Sequence, residues 1–113
     1  HSGLYFGASI VAIRSLMAAR GFTFVGTNSN GINAFFIRND VAPYVTPLID
    51  QIRAFPSRHR DSRGEDGKLS YVGGRARFDL VRHLPVVDVE SGQTIELNDI
   101  RDPYSADWQR DLG

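Results

Sequence analysis

GFTFVGTNSNGINAFFIRND, Gly21 to Asp40, decides how this chain is read. Two runs rich in aromatic and β-branched residues, FTFVGT and INAFFIR, flank a short stretch of Asn, Ser and Gly. Such runs favour extended backbone. The residues between them tolerate left-handed backbone geometry, and Asn-Gly is a strong hairpin signal. An antiparallel hairpin is therefore predicted. In its second run Ile32, Ala34 and Phe36 alternate with Phe35 and Ile37. Both faces are apolar, so this strand is expected to be covered on both sides, with Phe36 central. Three asparagines, Asn28, Asn30 and Asn33, fall in the bend. They serve either as turn chemistry or as ligand-facing amides.

Working outward, GASIVAIRSLMAARG precedes the hairpin. Ile10, Ile13, Leu16 and Met17 recur at three- and four-residue spacing, which predicts a helix over Ala8–Arg20 with one apolar face. Ser9 is its candidate N-cap, and Gly21 gives a normal exit. Beyond the hairpin, Val45, Leu48, Ile52 and Phe55 keep a helical period. Pro47 fits as the first helical residue after a Thr46 cap, so the next helix is expected over Thr46–Phe55. The stretch PSRHRDSRGEDGK reads as a polar loop or connector. GGRARFDLVRHL suits a short helix, although Ala76, Phe78 and Leu80 also alternate as a strand would. PVVDVESGQTIEL predicts a second hairpin about Ser91-Gly92. The class is α+β: a helix, an antiparallel hairpin, a further helix and a second hairpin.

With 113 residues, 42% hydrophobic and 23% charged, the composition is that of a globular protein. Thirteen basic residues balance thirteen acidic ones, which argues against a dedicated nucleic-acid binder. Twelve of the basic residues are Arg. The cluster of Arg53, Arg58, His59, Arg60 and Arg63 is interleaved with acids and reads first as a solvated loop. There is no Cys, which excludes disulfides and thiolate sites. No run reaches the ~20 apolar residues that span a bilayer, and no signal-peptide pattern opens the chain. No membrane partner and a cytoplasmic location are expected. The three His are scattered, and no metal spacing, nucleophile elbow or phosphate loop is present. The chain opens without Met, as a piece of a longer protein would.

YFGASIVAIRSLMAARGFTFVGTNSNGINAFFIRND resembles the C-terminal region of FkbM-like, class I S-adenosylmethionine-dependent methyltransferases and their relatives. The matching residues are Tyr5 to Ser9, Gly21 to Gly26 and Asn33 to Arg38, about a third of the chain. The resemblance implies that residues 1–40 terminate a Rossmann-like sheet and that residues 41–113 are a C-terminal extension. It implies S-adenosylmethionine for the parent protein. The family's glycine-rich turn and the acidic residue after it have no match here, so this chain is expected to bind no cofactor by itself and to be inactive alone. Its expected partner is the missing N-terminal half or a second copy, in a homodimer. In open α/β sheets ligands bind beyond the C-terminal strand ends. That places Tyr5, Ser9, Asn28, Ser29, Asn30 and Asn33 on the acceptor-substrate side. The rival reading is a stand-alone α+β interaction module without chemistry.

Overall fold

The computed structural model of the chain describes residues 2–59 and 61–112, the last two of these by backbone alone. The fold is α+β, with two antiparallel two-stranded sheets. The chain divides into two compact units, Ala8–Ser57 and a second formed from the N-terminal segment together with everything from Arg58 onward. Residues 41–57 thus belong with the first hairpin.

In the Ala8–Ser57 unit, α1 spans Ile10–Ala19. The Ser9 hydroxyl accepts the Ala12 amide at 3.1 Å, which caps the start. Gly21, with φ +83°, ends it in the left-handed conformation that suits glycine. The chain turns back into β1, Phe22–Thr27, which pairs with β2, Ala34–Arg38. Phe24 lies opposite Phe36, and the register shifts between Phe24 and Gly26, a bulge at Val25. The Phe24 and Phe36 rings meet at 5.5 Å, and the Arg14 guanidinium of α1 lies 4.6 Å above the Phe24 ring.

The expectation that β2 is covered on both faces is corrected. Phe35 is 52% exposed and Phe36 only half-buried; the buried ring of the pair is Phe24. A two-stranded sheet with one helix against it cannot shield both faces of a strand. The expected helix over Thr46–Phe55 is also corrected. Helical structure comes earlier, as α2, Ala42–Val45, continued by a 3-10 turn, Thr46–Leu48. Pro43 takes an early helical position, where its missing N–H costs nothing. Thr46 does not cap a following helix; its hydroxyl donates back to the Ala42 carbonyl at 2.9 Å. Ile49 is extended and the chain from there to His59 forms no helix, and Arg53–Pro56 runs past the end of β1.

In the second unit, the polar stretch before α3 is more ordered than a connector. Arg63 bridges Leu69 in antiparallel fashion, and Ser62 is fully buried, its hydroxyl shared with Ser70 at 2.9 Å and accepting the Val72 amide at 2.9 Å. The N-terminal segment is built into this unit. The Ser2 carbonyl accepts the Arg63 amide at 2.6 Å, and Arg77 donates to the Leu4 carbonyl at 2.8 Å. The GGRARFDLV stretch is helical, as expected: α3 spans Gly74–Val81 and buries Phe78 and Val81. Tyr104 meets Phe78 edge-on, and Trp108 of α4, Ala106–Leu112, stacks on Tyr104 at 3.8 Å. Burial holds the Tyr104 phenol above its ordinary value, against the opposing pull of the Arg77 and Arg75 charges. The second hairpin forms as predicted, β3, Pro85–Val87, against β4, Thr94–Glu96. No helix among the described residues is long and apolar enough to cross a membrane.

Candidate functional site

The bend between β1 and β2 is a six-residue loop, Asn28 to Asn33, and Asn28 builds it. The Asn28 amide donates to the Asn33 carbonyl at 3.1 Å, and the Asn28 carbonyl accepts from Gly31 at 2.9 Å. Its side-chain oxygen accepts two further amides, Ile32 at 3.0 Å and Asn33 at 3.1 Å. One Asn thus organises the loop by imitating backbone. Because these two amides go to Asn28, β2 starts at Ala34 and not at Ile32.

The loop is clamped from outside. Gly31 has φ +62°, and a Cβ there would lie 2.4 Å from both the Phe55 and Pro56 carbonyl oxygens. The Thr27 amide donates to the Arg53 carbonyl at 3.0 Å, and the Thr27 hydroxyl accepts the Phe55 amide at 2.8 Å. The Arg53 guanidinium lies 4.5 Å above the Phe55 ring. The Arg53–Pro56 segment therefore holds both the end of β1 and the loop beside it. Sequence reading missed Thr27, Gly31 and this segment. Its only local signals were a Thr ending a strand and a Gly following Asn.

The six expected substrate-side residues fall into three groups. Ser9 and Asn28 are committed to backbone, one as a helix cap and the other as the loop's organiser. Ser29, Asn30 and Asn33 are exposed, and among the described residues their side chains make no hydrogen bond. Tyr5 is 49% exposed and belongs to the other unit. Ser9 and the loop share a unit. Since α1 packs on β1 and the chain reverses at Gly21, Ser9 and Asn28 lie at the same end of that pair. What this end offers chemically is hydrogen bonding from exposed amides and a hydroxyl, suited to orienting a polar ligand.

Of the basic cluster, Arg63 donates to the Gly67 carbonyl at 2.7 Å, His59 packs edge-on against Phe6 at 5.3 Å, and Arg60 lies outside the described residues. No cluster of three or more His, Asp or Glu residues fit to hold a metal occurs among the described residues. No protein-family model matches the chain, and no curated protein or solved structure is significantly similar to it.

Proposed function

We propose that the Ala8–Ser57 unit terminates a larger, methyltransferase-like sheet, which it joins through the outer edge of β2. The single observation that carries this reading is the asymmetry of the two sheet edges. Thr27, the last residue of β1, is bonded from outside by Arg53 and Phe55, whereas among the described residues β2 bonds to no strand but β1. An unprotected apolar edge is rare in a finished fold, because it templates pairing with another strand. Burial points the same way. Among the described residues of this unit the buried apolar side chains are Phe24 and Ala42, while eight large ones are exposed, Ile32 and Phe35 among them. A core that small gives little independent stability.

The order helix, strand, antiparallel strand is also the one implied by the resemblance of Tyr5 to Ser9, Gly21 to Gly26 and Asn33 to Arg38. On this reading the exposed Asn30 and Asn33 border the acceptor side, and the cofactor is held by other parts of the parent protein. The rival reading, an interaction module with no chemistry, rests on the same exposed side chains. One experiment separates the two. The chain is extended by whatever its reading frame encodes ahead of His1, and S-adenosylmethionine binding and methyl transfer are measured. The proposal expects both activities, with Asn30→Ala reducing acceptor use and leaving cofactor affinity unchanged. An extended protein that folds and binds no S-adenosylmethionine would favour the interaction module.

A further inference from the structure

We propose that the second unit carries, between α3 and α4, a binding site for a small aromatic anion: a planar ring bearing a carboxylate or a phosphate. The site goes beyond the sheet-terminating reading and does not depend on it, because every residue that builds it lies after Arg58.

The site is a cavity of about 430 Å3 lined by Arg75 of α3, by Trp108 and Gln109 of α4, and by Arg101, Asp102 and Tyr104 before α4. That volume suits a small organic ligand. Its aromatic wall is held in place before any ligand arrives. Trp108 stacks on Tyr104 with ring centroids 3.8 Å apart and planes 11° from parallel. Phe78, buried in the core of the unit, meets Tyr104 edge-on at 5.7 Å. The Gln109 side chain donates to the Tyr104 carbonyl at 3.2 Å, and the Ser105 hydroxyl accepts the Trp108 amide at 3.2 Å. A planar ring gains contact area and ring–ring attraction against such a wall.

The polar groups around the wall select an anion. The Arg75 guanidinium lies 5.0 Å above the Phe78 ring. Its nearest approach to Asp79 is 3.5 Å, and that of Arg101 to Asp102 is 3.9 Å. Both separations exceed hydrogen-bond length. These acids are exposed, so the two pairs are screened by water and of small worth. Among the described residues neither guanidinium makes a side-chain hydrogen bond, and the Tyr104 hydroxyl makes none. The third cation nearby, Arg77, already donates to the Leu4 carbonyl at 2.8 Å. Burial raises the Tyr104 phenol's pKa, and the Arg77 and Arg75 charges oppose that shift, so positive potential reaches the ring. Guanidinium forks match carboxylate and phosphate oxygens. A simple anion uses only the arginines, and a neutral ring uses only the aromatic wall.

Trp108 is the chain's one tryptophan, so its fluorescence reports on this site alone. The 113-residue chain is titrated with benzoate, phenyl phosphate, acetate and benzyl alcohol. Benzoate or phenyl phosphate should change the emission saturably, with a Kd of about 1 mM for ligands this small. The tighter of the two identifies the anion as carboxylate or phosphate. Acetate and benzyl alcohol should bind about tenfold more weakly than that ligand, each lacking one half of the recognition. Arg75→Gln should weaken the tighter ligand about tenfold, the worth of one charge-assisted hydrogen bond, with the circular dichroism spectrum unchanged. Arg101 is 96% exposed, so Arg101→Gln leaves the fold intact and should weaken binding in the same sense. The site is overturned by no saturable response to either aromatic anion, by equal binding of acetate or benzyl alcohol, or by full affinity in both variants.

Discussion

The Thr27 amide and the Arg53 carbonyl, 3.0 Å apart, fix a segment distant in sequence against the outer edge of β1. The neighbouring bond, from the Phe55 amide to the Thr27 hydroxyl at 2.8 Å, gives that edge a second tie. Thr27→Val keeps the shape and removes the acceptor. Leaving a part-buried amide unpaired costs roughly 1–2 kcal/mol, and that loss is expected in the denaturant midpoint. An unchanged midpoint would mean that the segment does not hold the end of β1 in solution.

Gly31 and Gly92 separate backbone strain from lack of space. Both are left-handed, with φ +62° and +73°, yet nothing lies within 4 Å of a Cβ at Gly92. Gly92→Ala is expected to cost about 1–2 kcal/mol from conformation alone. Gly31→Ala adds a collision with the Phe55 and Pro56 carbonyls and is expected to cost distinctly more. Equal losses in thermal unfolding would show that Arg53–Pro56 does not press on the loop.

The asparagines are predicted to differ. Asn28→Ala removes the acceptor of two loop amides and should destabilise by roughly 1 kcal/mol. Asn30→Ala touches only an exposed side chain and should stay within about 0.5 kcal/mol. If Asn30→Ala were the costlier change in chemical denaturation, Asn28 would not be the residue that organises the loop.

Phe24 and Phe36 test where the core of the hairpin lies. Phe24 is 8% exposed and covered by Arg14, whereas Phe36 is half-buried. Phe24→Ala is expected to cost about 3–5 kcal/mol and Phe36→Ala roughly half of that. The reverse order would place β2, and not β1, at the centre.

The second hairpin carries a pH dependence. The Ser91 hydroxyl and then the Glu90 amide stabilise the Asp88 carboxylate and hold its pKa below the ordinary 3.8. A depressed folded value means that this stabilisation is fully present above pH 3.8 and is lost as pH falls through the lower folded value. Wild type should therefore lose more stability than Asp88→Asn on acidification through that window, and parallel losses would contradict the turn.

Much of this fold was legible where local chemistry and tertiary packing agree. The Ser9 cap, the period of α1, the Gly21 exit and the two hairpins were all carried by neighbouring residues. The reading failed where distant contacts prevail. Val45, Leu48, Ile52 and Phe55 keep helical spacing, but the chain leaves the helix at Ile49, and Arg53 and Phe55 spend their backbone groups on Thr27 instead. Of the expected site, the turn role of Asn28 was visible from composition. The clamp on Gly31 was not, since no local pattern announces a carbonyl arriving from Phe55.

The proposed role depends above all on this chain ending a sheet whose cofactor-binding part lies elsewhere. Calorimetric titration with S-adenosylmethionine tests that dependence most directly, using the 113-residue chain beside the same chain extended through its upstream reading frame. No heat of binding is expected for the first and micromolar binding for the second. Binding by the 113-residue chain alone, or none by a folded extended protein, would contradict it.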